Sequence, residues 1–427
     1  MSVAAERAAA TALEVLQELF AEYHPRDFAV ELWDGSRREA ETDEPSFTLR
    51  LGSAGVLRGF LGASERALAE AYLHGELDID GDVYRAIAAA DHLLVEKRWT
   101  TSERLRQAKR LLSLPRNGDG NGRAHAPAVL HGRRFSRARD RTAVTYHYDR
   151  SNEFFALWLD ERMTYSCAYW DEPTETLEAA QERKLDLVCR KLRLRPGERV
   201  LDIGCGWGSF VIYAAERYGV ETVGITLSEK QALVARERAA AAGLSDRVRI
   251  EVRDYRDLDD PESFDKIASI GMFEHVAAEV LPEYFGRAYA LLRPRGVFLN
   301  HGIARPIDRV ERSGDSFLMA YVYPDAELSP ISTALRAAES VGFEVRDVES
   351  LREHYPLTLR EWVRRLEAAH DDAVRASSEE TFRVFRLYLA GSAHGFETNR
   401  ISVFQSLLVK PQRGASGLPL TREDWYR

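Results

Sequence analysis

The sequence predicts an α/β protein built on a doubly wound, mostly parallel sheet, preceded by a smaller α+β domain. Three observations predict it. Strand-like and helix-like patterns alternate through the C-terminal two thirds of the chain. A glycine-rich turn, Gly204-Cys-Gly206-Trp-Gly208, closes the first of these strands and opens a helix. A stretch with almost no side chain able to enter a core, Arg116-Asn-Gly-Asp-Gly-Asn-Gly-Arg123, separates this pattern from a different one ahead of it.

In chain order, apolar residues at helical spacing run through Thr11–Tyr23, and alternation through Phe47–Leu51 reads as a strand. A helix over Ser64–Leu73 ends at the stop signal of Gly75. Thr101–Leu114 reads as a basic amphipathic helix, with Leu105, Ala108, Leu111 and Leu112 on one spacing and Arg104, Arg106, Lys109 and Arg110 around them. Beyond the linker, the predicted strands are Arg199–Gly204, Thr222–Leu227, Val248–Arg253, Lys266–Ile270, Val297–Asn300, Phe343–Val348 and Val403–Lys410, with helices such as Ser209–Tyr218 and Glu229–Ala242 between them. The expected division is an N-terminal domain over 1–115, a basic linker over 116–140 and a catalytic domain over 141–427.

Composition narrows the function classes. The 427 residues are 45% hydrophobic and 30% charged with a net charge of −9, the mix of a water-soluble globular protein and not of a nucleic-acid coat. No stretch approaches the ~18 apolar residues of a membrane span, and the first residues reach Glu6 and Arg7 before any apolar run, unlike a secretory signal. The three cysteines, Cys167, Cys189 and Cys205, form neither a disulfide framework nor a zinc pattern. Charge is uneven: Lys97 to Arg141 holds thirteen Lys/Arg against three acids. This block suits anionic head groups, and it equally suits a solvated helix followed by a flexible linker.

In doubly wound sheets, ligands bind beyond the carboxyl ends of the strands. A nicotinamide or flavin site has G-x-G-x-x-G and an acid after the second strand. Here the spacing is G-x-G-x-G, and the second strand runs into Thr226-Leu227-Ser228. Asp202, just before the glycines, can pair with an ammonium group, which suits the amino-acid part of S-adenosylmethionine; a ligand-free tight turn is the competing reading. Asp254-Tyr255 after the third strand offers a polar edge and an aromatic face for adenine. The fourth strand leads to Glu274 and the fifth to His301, which places the pair at one end of the sheet.

Five motifs in order then identify the resemblance: Tyr146-His-Tyr-Asp149, Tyr165-Ser-Cys-Ala-Tyr-Trp170, Leu201-Asp-Ile-Gly-Cys-Gly-Trp-Gly208, Gly224-Ile-Thr-Leu-Ser-Glu-Lys-Gln231 and Ser269-Ile-Gly-Met-Phe-Glu-His275. Over roughly Arg141 to Lys410 the chain resembles cyclopropane-fatty-acid synthases and the mycolic acid cyclopropane synthases. Leu73-His-Gly-Glu-Leu-Asp-Ile-Asp80 is similar to the lipid-binding domain of the phospholipid-acting members. The resemblance implies a Rossmann-like seven-stranded methyltransferase sheet. It implies S-adenosylmethionine at Tyr165, Ser166, Gly204, Cys205, Gly206, Thr226, Leu227, Ser228, Gln231, Tyr255, Arg256 and Ile270. It also implies a bicarbonate ion at Cys167, Glu274, His301, Ile303 and Tyr388. The common His-Thr-Ile of the family reads His301-Gly302-Ile303 here.

The implied reaction moves a methyl group onto the double bond of an unsaturated acyl chain. The resulting carbocation, for which the aromatic faces of Tyr148, Tyr169, Trp170 and Phe273 are candidate stabilisers, loses a proton to bicarbonate and closes a cyclopropane. A hydride shift before proton loss would instead leave a 10-methylene branch, the substrate of a separate reductase. A second alternative is a small-molecule methyltransferase using His147 or His275 as base. The expected partners are unsaturated phospholipid acyl chains at an anionic membrane surface, with no nucleic acid, and a second copy of the chain through the N-terminal domain. The expected location is cytoplasmic, at the inner face of the membrane.

Overall fold

The structure is a computed structural model that describes residues 3–57, 60, 64–96, 100–112, 130–132, 134, 136–148, 151–308 and 316–426. The chain packs as two compact units. The first comprises Met1–Ala128, Arg312–Val322 and Ser378–His394; the second comprises Val129–Glu311, Tyr323–Ser377 and Gly395–Arg427. Sequence composition and packing thus divide the chain on different grounds. The helix Arg137–Tyr148 begins within the segment read as linker, and residues 116–123 lie outside the described residues.

In the first unit, strands β1 (Phe28–Glu31), β2 (Arg37–Arg38), β3 (Phe47–Leu51) and β4 (Leu77–Gly81) form a sheet of order β2-β1-β3-β4. β3 coincides with the predicted alternation, because Phe47, Leu49 and Leu51 turn to the core while Arg50 stays outside. Phe28 and Phe47 stack at 4.8 Å, and Leu16 of the helix Val3–Leu19 closes over them. Ser64 caps the helix Glu65–Leu73 by accepting from Ala67 N at 3.1 Å. In the helix Thr101–Leu112, Arg110 pairs with Glu18 at 2.6 Å and Arg106 approaches it at 3.7 Å, while Leu105 is 61% exposed. The side chains of Arg104, Ala108, Leu111 and Leu112 are outside the described residues. The helix Glu379–Glu397 adds Arg386, which donates to the Tyr72 hydroxyl at 3.0 Å, and Tyr388, buried edge-on to Phe385.

The second unit holds seven strands: β5 (Arg199–Ile203), β6 (Glu221–Thr226), β7 (Val248–Val252), β8 (Phe264–Ile270), β9 (Leu292–Ala304), β10 (Glu344–Ser350) and β11 (Ser402–Val409). Their order is β10-β11-β9-β8-β5-β6-β7, parallel throughout except that β11 runs antiparallel to both β9 and β10. The order reverses beside β5, whose neighbours are β6 and β8. A doubly wound sheet opens its crevice at such a reversal.

Alternation along the strands decides which helix covers which face. Val200 and Leu299 pack with the helices Leu177–Leu192, Ser209–Tyr218 and Glu229–Ala241. Leu201 and Phe298 pack with the helices Leu281–Leu291 and Ile331–Ser340.

β9 corrects one expectation. The sequence places its end at Asn300, with His301 in a loop; the strand continues to Ala304, and His301 pairs in register with Gln405 of β11. A polar His-Gly pair reads locally as a strand end, and pairing on both sides overrides it.

Candidate active site

β5 delivers the glycine turn to the point of strand reversal. Gly204 (φ +89°) and Gly206 (φ +54°) adopt the left-handed region, and a Cβ on Gly204 would lie 3.1 Å from Met272 Cβ. The amides of Gly204 and Cys205 both donate to Ile225 O at 2.9 Å, which ties the turn to β6. The Trp207 indole N–H donates to Asn152 Oδ1 at 2.8 Å and holds the aromatic segment ahead of the sheet against the same turn.

Around this turn lies a cleft partly open to solvent. It gathers most of the predicted cofactor residues. Tyr165, Ser166, Asp202, Gly204, Cys205 and Gly206 line it, and so do Thr226, Leu227, Gln231, Tyr255, Arg256 and Ile270. Ser228 does not line it. Its buried hydroxyl accepts from Gln231 N at 3.2 Å, so it caps the helix Glu229–Ala241 and sets the position of Gln231. Thr226 Oγ1 then donates to Gln231 Oε1 at 2.9 Å, which orients the amide.

Arg256 is engaged with acids at the cleft edge. Its guanidinium meets Asp254 at 2.6 Å and Asp140 of the helix Arg137–Tyr148 at 3.0 Å. The Tyr255 ring stands edge-on to Tyr284, and Tyr165 sits among the rings of Phe155, Trp158 and Trp362.

Asp202 is buried, and among the described residues its Oδ1 finds no hydrogen-bond partner. Burial pushes its carboxyl up to about 7, against the pull of Lys184. A carboxylate left in this state is prepared for a cationic donor from a ligand.

A second carboxylate stands where β8 and β9 end side by side. Glu274, in the short turn Phe273–His275, accepts from Ile303 N through Oε1 at 2.7 Å, and among the described residues its buried Oε2 is without a partner. Burial pushes Glu274 up to about 7, against the Ile303 amide.

The form of His301, on the same strand, can be deduced. Lys191 Nζ donates to Gln405 Oε1 at 2.7 Å, which leaves the Gln405 amide nitrogen to donate to His301 Nδ1 at 3.2 Å. Nδ1 is therefore an acceptor and the proton sits on Nε2. Burial, with Lys184 and Lys191 adding to it, lowers His301 to about 3, so the ring stays neutral. Glu349 backs the chain by pairing with Lys191, and the Tyr169 hydroxyl donates to Glu349 at 3.2 Å.

Other predicted residues are placed differently. Cys167 is buried with its thiol towards the carbonyls of Ala168 at 3.3 Å and Leu351 at 3.8 Å, and burial raises its pKa. Tyr388 belongs to the first unit. Trp170 is fastened to the helix His354–Ala368, its indole donating to Thr358 at 3.0 Å, and the Tyr169 ring stacks on His354 at 4.6 Å. Asp149 lies outside the described residues, as do the side chains of His147 and Tyr148. His275 lines the cleft, and burial lowers it to about 4.

The Gly302 departure has a steric reason. A Cβ there would lie 2.6 Å from Cδ1 of Phe273, so the Phe273 ring occupies the space a larger residue would need.

Sequence reading missed Gln405, Lys191 and Lys184. The two lysines carry a usable signal, since they sit with Leu177, Gln181 and Val188 at helical spacing on one buried face. Gln405 carries none, because only the β9–β11 register brings it to His301.

Residues 135–406 match the mycolic acid cyclopropane synthetase family, and residues 15–93 match a domain of unknown function. A "Probable fatty acid methyltransferase" from Pseudomonas putida is 39% identical over 93% of this chain and 96% of its own length. The cyclopropane-fatty-acyl-phospholipid synthase of Escherichia coli is 39% identical over 61% of this chain and 65% of its own. Among solved structures, a mycolic acid cyclopropane synthase complexed with SAH and CTAB is 36% identical with a TM-score of 0.60, covering 63% of this chain and 98% of that one.

Proposed function

This chain belongs to the mycolic acid cyclopropane synthetase family and is an S-adenosylmethionine-dependent methyltransferase of the cyclopropane-synthase type, and from that premise we propose that it methylates the double bond of an unsaturated acyl chain on a phospholipid and closes a cyclopropane ring. The observation that carries the proposal is Glu274, a buried carboxyl with one oxygen fixed by a backbone amide and the other unmet.

The residues fit both small ligands. For the cofactor, Asp202 offers an unmatched carboxylate oxygen, the glycine turn allows close approach, and Gln231 and Tyr255 present an amide and a ring. When bound, S-adenosylmethionine supplies an electrophilic sulfonium methyl. For the anion, two bare carboxylates would repel, but Glu274 with its pKa near 7 keeps a proton it can donate. His301 presents Nε2–H as a second donor. Bicarbonate held by these two groups would supply a base that is not a protein nucleophile, which spares the enzyme from alkylation by a carbocation.

An alkene is a weak nucleophile, so the chain's main task is to hold it dry against the methyl. The ring packing of Phe155, Trp158, Tyr165 and Trp362 beside the cleft suits that task. A phospholipid acceptor accords with the exposed Leu105, Arg106 and Lys109 on the helix Thr101–Leu112, which suit peripheral contact with an anionic surface. Among the described residues no helix is long and apolar enough to cross a membrane.

The test is incubation with S-adenosylmethionine and vesicles of mono-unsaturated phosphatidylglycerol, followed by mass and proton NMR analysis of the released fatty acids. The expected product gains one CH₂ and shows upfield cyclopropyl protons, and its yield falls in carbon-dioxide-free buffer. Vinylidene protons would replace the cyclopropane reading with the methylene one. Methylation of a soluble acceptor with none of lipid would overturn both.

A further inference from the structure

The helix Leu177–Leu192 carries a second buried cation besides Lys191. Lys184 is 1% exposed and lines the cofactor cleft beside Asp202 and Ser166. Among the described residues, no carboxylate lies within ion-pair distance of its nitrogen. Asp160, the nearest competing acid by its effect on Lys184, spends its oxygens on Thr164 N, Thr164 Oγ1 and Arg162 N. Among the described residues Lys184 Nζ makes one hydrogen bond, to Ser166 Oγ at 2.9 Å. An ammonium group has three N–H donors, and burying one without an opposing charge is costly unless something arrives to share it.

Proton counting extends the point to Ser166. Its oxygen accepts from Lys184, so its own O–H is directed elsewhere, as a further donor at the cleft wall. Beside this pair, Asp202 Oδ1 is buried and, among the described residues, unmatched. One wall therefore offers unused donors on a cation, and the neighbouring strand end offers an unused acceptor on an anion. That is the complement of a zwitterion.

We propose that Lys184, seconded by the Ser166 hydroxyl, receives the α-carboxylate of the cofactor's methionyl group while Asp202 receives its ammonium. This rests on the reading that the cleft takes S-adenosylmethionine. Burial holds Lys184 down to about 8, so it is charged at neutral pH and is strengthened as a cation when a carboxylate reaches it.

The experiment is calorimetric titration of the full chain and its Lys184→Met and Ser166→Ala variants with three ligands: S-adenosylhomocysteine, its decarboxylated analogue and 5′-methylthioadenosine. In the wild type, loss of the ligand carboxylate should weaken binding about tenfold or more, the scale of a hydrogen bond to a charged group. Lys184→Met should weaken S-adenosylhomocysteine by a similar factor and leave the decarboxylated analogue within twofold. Ser166→Ala keeps the buried charge, so it reports even if Lys184→Met fails to fold; it should show a smaller loss, again confined to the carboxylate ligand. Equal weakening of all three ligands in the variants would make Lys184 a packing residue and overturn the proposal. Failure of the wild type to bind any of the three would overturn the cofactor reading itself.

Discussion

Asp202 and Glu274 stand at the ends of adjacent strands of one sheet, both buried, both pushed up to about 7, and each with one unmatched oxygen. What surrounds them differs. Asp202 has a buried lysine on the same cleft wall, so its charged form is partly supported and waits for a cation. Glu274 has a backbone amide and no lysine among the causes acting on it, so its proton is worth keeping and it suits an anion. The same residue chemistry and the same burial leave the two carboxyls with different electrostatic support, because one neighbour carries charge and the other does not, and the proposed function gives them opposite ligands.

Amide substitutions probe this contrast directly. Glu274→Gln should lower kcat by roughly 10²–10⁴-fold, the range of a lost acid–base group, while S-adenosylhomocysteine affinity stays within twofold in calorimetry. A parallel loss of affinity would erase the distinction between the two carboxyls.

A pH series on the ligand-free protein comes next. Both carboxyls hold a proton in the folded state to higher pH than in the unfolded chain, so stability falls as pH rises from about 4 to 7. The share of each group is at most roughly 3–4 kcal/mol. Glu274→Gln and Asp202→Asn should each flatten that slope in urea unfolding, by similar amounts; flattening by only one of them would show that their burial costs differ.

Asp202→Asn should weaken S-adenosylhomocysteine by about tenfold and leave kcat at saturating cofactor within a few-fold. The reverse pattern would place Asp202 with the chemistry.

The smallest effect belongs to the relay behind His301. Gln405→Leu removes the donor to Nδ1, and kcat should fall roughly tenfold, one hydrogen bond's worth. Imidazole ¹⁵N shifts should change from a single Nε2–H tautomer to a mixture. Unchanged shifts would mean that Gln405 only packs.

Much of this architecture is legible in local sequence. β5, β6 and β7 follow the predicted ranges within a residue at each end, because buried parallel strands read as short apolar runs bounded by turn residues. The glycine turn and Asp202 are equally local, and one cleft collects eleven of the twelve residues that the resemblance assigned to the cofactor. The exception, Ser228, shows why adjacency is a weak guide: a residue next to a ligand-facing position can spend its hydroxyl on a helix cap. β9 escapes because Arg293, Pro294, Arg295 and Gly296 look like a turn, yet β8 and β11 pair on either side of the strand they begin. Helical phase could have exposed Lys184 and Lys191. No window of sequence could have exposed Gln405, which lies more than a hundred residues from His301.

That separation bears on biosynthesis. A ribosome releases β5 to β8, and with them the glycine turn and Glu274, long before it releases β11. A nascent chain at that stage has much of the cofactor cleft but lacks the amide that sets the His301 proton. The His301 proton is therefore fixed only once β11 has paired with β9.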